Sequence, residues 1–128
     1  MKCVIAAQMS YHLYEEVFEK PLNPILGETF QCVGQDGAQM YFEQTSHHPP
    51  RSHLLFEHPD GNYVVNGWFE FAVSSGPLTA DLTTCGYNQV TFKDGGQIKY
   101  SHNNDTYYGA FMGSFGHGYT GKVVFIDK

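Results

Sequence analysis

Basic residues are scarce in this 128-residue chain: 7 Lys and Arg stand against 13 Asp and Glu, for a formal net charge of −6. A nucleic-acid binder needs a basic stripe to neutralise phosphates, so that class is excluded. The same deficit argues against indiscriminate attraction to anionic membranes; any anion site has to be local and built from a few well-placed groups. Cysteine is sparse too. Cys3, Cys32 and Cys85 are odd in number and widely spaced, with no C-x-x-C pair, so neither a disulfide framework nor a zinc site is indicated. A reducing intracellular compartment is the simplest reading. No apolar run approaches the ~20 residues of a membrane-spanning helix. Internal repeats, low-complexity tracts and linker-like stretches are lacking, and the length fits one domain over residues 1–128.

What abounds is aromatic rings and glycine: 10 Phe, 9 Tyr and 14 Gly, with a single Trp. Flat rings and tight turns favour a β-rich protein with large apolar surfaces. The first segment reads as a helix, because Ile5, Met9, Leu13 and Val17 recur every four residues, with Tyr14 and Phe18 as a flanking row. Pro21 ends it by pushing Lys20 toward extended geometry, and Pro24 stiffens the connector over 20–24. Everything beyond reads as antiparallel strands. Asp36-Gly37, Asp60-Gly61 and Asp94-Gly95 each lie between apolar runs and suit tight hairpin turns. The clearest strand is 63–73, where Tyr63, Val65, Phe69, Phe71 and Val73 share one face while Asn66, Trp68 and Glu70 share the other. Further strands are expected at 28–33, 39–43, 53–58, 80–84, 87–92, 97–102, 107–113 and 122–126, with turns at 74–77, 103–105 and 116–118. The fold class is therefore mainly β: an N-terminal helix followed by a meander of about nine strands, more than a single sheet usually holds. Such a sheet is expected to curl toward an incomplete barrel.

Two segments make poor sense as folding instructions alone. One is Lys20-Pro21-Leu22-Asn23-Pro24-Ile25-Leu26-Gly27-Glu28-Thr29-Phe30; the other is Glu43-Gln44-Thr45-Ser46-His47-His48-Pro49-Pro50. In the second, the prolines fix their own φ angles, remove two donors and hold His48 extended. Each imidazole donates hydrogen bonds, and imidazole changes charge near neutral pH, which suits anion recognition. The bland account is that His47 and His48 make turn hydrogen bonds while Pro49 and Pro50 end the strand. Metal ligation is a third account, but adjacent residues of a strand point to opposite faces, and no His-x-His pattern is present. In the first segment, Lys20 supplies a compact cation and Asn23 an amide donor three residues on. Their bland roles are a helix-end charge and a turn initiator. Glu28 and Glu43 are most simply strand-end residues making structural hydrogen bonds, since no nucleophile or third group supports acid–base chemistry.

Taken together the two segments resemble, position by position, the signatures K-P-x-N-P-x-L-G-E-x-F/Y and E-Q-x-S-H-H-P-P of the oxysterol-binding-protein-related lipid-transfer domain. The resemblance continues more weakly to Tyr107-Tyr108-Gly109 and Gly118-Tyr119-Thr120-Gly121. It implies a nearly closed antiparallel barrel holding one lipid in a tunnel, a sterol or phosphatidylserine, exchanged against phosphatidylinositol 4-phosphate between membranes. It further implies that Lys20, Asn23, His47 and His48 bind the phosphorylated inositol headgroup, with Leu22 and Ile25 near the tunnel mouth. No catalytic residue, metal or cofactor is implied, and the partners are lipid and a transient membrane surface, not nucleic acid. The location implied is cytoplasmic, peripheral at intracellular membranes and membrane contact sites.

Domains of that family are several times longer. The resemblance therefore reads the chain as one partial domain over residues 1–128, with the N-terminal lid and the C-terminal half absent. A sheet cut in this way would leave an unpaired edge, inviting self-association. The alternative of a different class is a truncated, non-transporting regulatory or protein-interaction module.

Overall fold

The computed structural model describes residues 1–11, 22–109 and 112–128. One helix, α1 (Lys2–Tyr11), precedes nine strands. The expected helix begins where the sequence places it; its continuation through Leu13 and Val17 to Pro21 lies outside the described residues. The strands are β1 (Thr29–Val33), β2 (Gln39–His47), β3 (Pro50–Glu57), β4 (Tyr63–Ser75), β5 (Thr79–Phe92), β6 (Gln97–Ser101), β7 (Asn104–Tyr108), β8 (Gly116–Thr120) and β9 (Phe125–Asp127). All belong to one antiparallel sheet. Its main path runs β1-β2-β3-β4-β5-β6-β9, and β7 branches from β5 to carry β8.

The branch arises from the length of β5. Its C-terminal half, Tyr87 to Thr91, pairs with β6, while its N-terminal end, Thr79 to Leu82, pairs with β7. Among the described residues the sheet does not close: β1, β8 and β9 each pair on one side only. The mainly β, unclosed architecture is the one expected from the sequence.

Local sequence explains three of the hairpins. Gly37, Gly61 and Gly95 follow their aspartates with φ of +83°, +66° and +90°, the left-handed region that a side chain disfavours. Several expected boundaries fall elsewhere. The segments 80–84 and 87–92 are one strand, β5, running straight through Gly86. The stretch 116–118, expected as a turn, is the start of β8, and Asn104 and Asp105 open β7 instead of forming a turn. The strand expected over 107–113 therefore ends at Tyr108. Asn, Asp and Gly disfavour strands locally, but pairing to β5 and to each other overrides that preference.

Period-two alternation builds the core. Val65, Val90 and Ile98 stand opposite one another across β4, β5 and β6, so their side chains share a face. Val4 of α1 packs there, with Tyr63, Phe92, Tyr100 and Phe125 around it. Ile98 is only 3% exposed, and burying such a side chain contributes about 1.5–3 kcal/mol. At the turn end of this face, the Tyr63 hydroxyl donates to the Asp36 carboxylate, tying the β1–β2 turn to β4 and pushing the phenol pKa up to about 12.

His102 follows β6 on the same side. Its Nε2 donates to the Trp68 carbonyl at 3.3 Å, and its ring meets Phe69 edge-on at 6.3 Å. Burial holds its pKa below the ordinary 6.5, so the folded state favours neutral imidazole. The associated stability is fully present above about pH 6.5 and is lost as pH falls through the depressed folded value. Thermal midpoints measured from about pH 7 to 5 should therefore fall, and His102→Gln should flatten that slope. An identical slope in the variant would remove His102 from the acid sensitivity.

Candidate functional site

Two hydrogen-bonded ladders bring the proline-rich segment and the twin-histidine segment to one end of the sheet. β1 and β2 pair from Val33↔Gln39 to Thr29↔Glu43. The contact then continues past the strand: Gly27 N donates to Gln44 O at 2.8 Å, and Gln44 N donates to Glu28 O at 3.0 Å. Residues before β1 and residues at the end of β2 are thus stitched backbone to backbone. Gly27 has φ of +79° in the turn Ile25–Glu28, closed by Glu28 N donating to Ile25 O at 3.0 Å. The Glu28 carboxylate accepts the Ile25 amide at 2.9 Å, the structural role expected of it.

Gln44 is the hub. It is 5% exposed, yet its side chain is fully engaged: Nε2 donates to Ser46 O at 2.8 Å, and Oε1 accepts from Ser52 Oγ at 2.6 Å. A buried amide left unpaired would be costly, so these bonds fix the strand end. The register shifts here, with Gln44 opposite Ser52 but Ser46 opposite Arg51, leaving Thr45 as a bulge. Thr45 Oγ1 lies 2.8 Å from His53 Nδ1 and 3.3 Å from Arg51 O, tying the bulge to β3. A bulge re-aims the side chains beyond it, here those of Ser46 and His47.

β2 runs through His47, His48-Pro49 forms the turn with a cis peptide bond between them, and Pro50 opens β3 opposite His47. Proline is tolerated there because the first residue of a strand can dispense with its donor. This corrects three expectations. Pro50 begins a strand where an end was expected. His48 sits in a turn where extended backbone was expected. The two imidazoles, expected on opposite faces, lie edge to face with centroids 4.5 Å apart, because the turn replaces strand alternation at His48. Both histidines are exposed.

Arg51 anchors this turn from behind. Its Nε and Nη2 reach Glu70 Oε2 of β4 at 2.9 and 2.6 Å, and its guanidinium lies 4.9 Å from the Trp68 ring centroid. Neither signature singles out Ser52 or Arg51, and Gln44 carries no expected role within its own. The available signal was the strand period, which places Gln44, Ser52 and Phe69 on one face across β2, β3 and β4. Along that face runs a cleft of about 190 Å³ lined by Pro24, Glu28, Thr29, Phe30, Phe42, Glu43, Gln44, Ser52 and Phe69. Three phenylalanines and a proline line it together with one amide, two hydroxyls and the Glu28 and Glu43 carboxylates, which suits an apolar ligand carrying a few polar groups.

Of the expected site residues, Leu22 and Asn23 are exposed in the segment joined to Gln44, at the same end of the sheet as His47 and His48. Lys20 lies outside the described residues. Among the described residues no group of three or more His, Cys, Asp or Glu is gathered to hold a metal ion, and no helix is long and apolar enough to cross a membrane.

Among the described residues, an unclosed antiparallel sheet, the helix α1 and a cleft near the strand ends define a mainly β protein of the incomplete-barrel class. The family model described as oxysterol-binding protein matches residues 1–125, and the chain belongs to that family. Oxysterol-binding protein 9 of Dictyostelium discoideum is 32% identical over 128 residues, covering 100% of this chain and 30% of its own length. Oxysterol-binding protein-related protein 3 of Mus musculus is 50% identical over 52 residues, covering 40% of this chain and 6% of its own length. In fold, the Osh1 ORD domain in complex with ergosterol superposes with a TM-score of 0.86 at 24% identity, over 97% of this chain and 31% of that one. The Osh3 ORD in complex with PI(4)P from Saccharomyces cerevisiae gives 0.84 at 21% identity, over 97% and 34%. The chain thus spans under a third of the Dictyostelium relative.

Proposed function

We propose that this chain is a single partial lipid-binding domain, residues 1–128, that grips a phosphoinositide headgroup as part of intracellular lipid binding and transfer. The exchanged lipid is a sterol or another lipid, carried against phosphatidylinositol 4-phosphate, with peripheral contact to cytoplasmic membrane faces. Lys20, Asn23, His47 and His48 supply the donors, and Leu22, exposed beside Asn23, flanks the mouth. No step in this role is catalytic. The observation that carries the reading is the backbone stitching of Gly27 and Glu28 to Gln44, which draws both signatures to one strand end. A fixed cation, an amide and paired imidazoles can surround a phosphate there with charge-assisted hydrogen bonds, roughly twice as strong as neutral ones. Family membership and solved neighbours that hold ergosterol, cholesterol and PI(4)P support the choice of ligand class.

The test is extraction. Purified chain is mixed with liposomes containing phosphatidylinositol 4-phosphate, separated from them, and its bound lipid quantified by mass spectrometry. Lipid should be recovered with the protein, and Lys20→Ala or Asn23→Ala should each lower recovery about tenfold. Undiminished recovery in both variants would refute the residue assignment. Binding of a water-soluble inositol phosphate without extraction would favour the non-transporting module instead. Light scattering on the same sample reads whether a second copy covers the open edge of β1.

A further inference from the structure

We propose that Glu70 sets how many phosphates the headgroup site accepts, by holding Arg51 in a neutral pair behind the twin-histidine turn. The inference rests on the headgroup reading above and adds a selectivity determinant that neither signature contains.

Arg51 is the only Lys or Arg between residues 22 and 92, a span that covers the segment entering β1 and all of β1 to β5. That lone cation stands directly after the turn: Pro50 is opposite His47, and Arg51 is opposite Ser46. Its charge is cancelled on the spot. Nε and Nη2 both reach a single oxygen, Oε2 of Glu70, and the Trp68 ring backs the guanidinium at 4.9 Å. The pair lies at the surface, with the Arg51 side chain 43% exposed and that of Glu70 21%.

An ion pair this exposed contributes little to stability, so holding the fold together is a poor account of it. Its field matters more. Neighbouring strands lie about 4.8 Å apart, so a phosphate gripped at His47 falls within the screening length of about 8 Å from Arg51. A guanidinium takes a phosphate through two parallel donors. Uncancelled, Arg51 would offer a second phosphate position and favour a headgroup with more than one ring phosphate. Paired with Glu70, it leaves the imidazoles to grip one.

Calorimetric titration with two water-soluble headgroups tests this: glycerophosphoinositol carrying one ring phosphate, and the same compound carrying two. The readout is the ratio of their affinities. Glu70→Gln keeps a carbonyl that accepts from Arg51 but removes the charge, so the ratio should shift about fivefold toward the two-phosphate form. Arg51→Gln leaves Glu70 uncancelled and should shift the ratio about as far the other way. Either single variant suffices should the other lose the fold. Arg51→Gln/Glu70→Gln should restore the parent ratio. A pair that only anchors the turn would lower both affinities together and leave the ratio fixed in every variant, which would overturn the proposal. So would a double variant that keeps the Glu70→Gln ratio, since Arg51 would then not be the responding group. A parent chain that binds neither headgroup sinks the headgroup reading and this inference with it; binding at a fixed ratio sinks the inference alone.

Discussion

His47→Ala/His48→Ala should weaken binding of a water-soluble phosphoinositide headgroup by about a hundredfold or more while leaving the fold in place. Each imidazole lost removes a hydrogen bond to a charged group, about 1.5–3 kcal/mol, and two such losses amount to two or more decades in affinity. The scaffold should survive because other groups hold the turn. Gln44 and Ser52 fix the strand end, Thr45 ties the bulge to His53, and Arg51 clamps β3 to Glu70 and Trp68. Both imidazoles are exposed and lie against one another, so their removal opens no core cavity. Calorimetric titration gives the affinity, and a thermal melt by circular dichroism checks the fold. An unchanged affinity at an unchanged melting point would remove the twin histidines from the site.

Gly86→Ala should be far more damaging to stability than a glycine replacement on an open turn. Gly86 sits in the middle of β5 with φ of +117°, opposite Phe69 in the register. A β-carbon there would lie 2.1 Å from the Trp68 carbonyl oxygen and 2.9 Å from its carbon. Those atoms are backbone of the neighbouring strand and cannot swing away as a side chain would. Backbone strain of about 1–3 kcal/mol adds to overpacking of similar size. The sum, about 2–6 kcal/mol, is a large share of the roughly 5–15 kcal/mol that holds a typical domain folded. Gly95→Ala is the comparison: φ is +90°, but nothing lies within 4 Å of the added carbon, so only the conformational term applies. Gly118→Ala, with open space and no positive φ, should be near neutral. Urea unfolding followed through Trp68, the single tryptophan, ranks the three. A Gly86→Ala midpoint matching that of Gly118→Ala would mean that β4 and β5 are less closely apposed than their register implies. The site would be affected with the fold, because Trp68 and Phe69, beside Gly86, hold Arg51 and line the cleft.

Residue order alone was enough for the family, the strand-rich class and the positions of three hairpin turns. It sufficed because those features are local: two contiguous signatures, a side-chain period of two, and Asp-Gly pairs whose glycines need positive φ. The assembled sheet was needed to show that Gly86 lies inside one strand, that polar Asn104 and Asp105 join the ladder, that Gln44 is a buried hub, and that the two imidazoles meet. Each of these depends on which strand lies alongside which. That choice is made by pairing and burial between residues far apart in the chain, and such pairing outweighs the preference of any one residue for strand or turn.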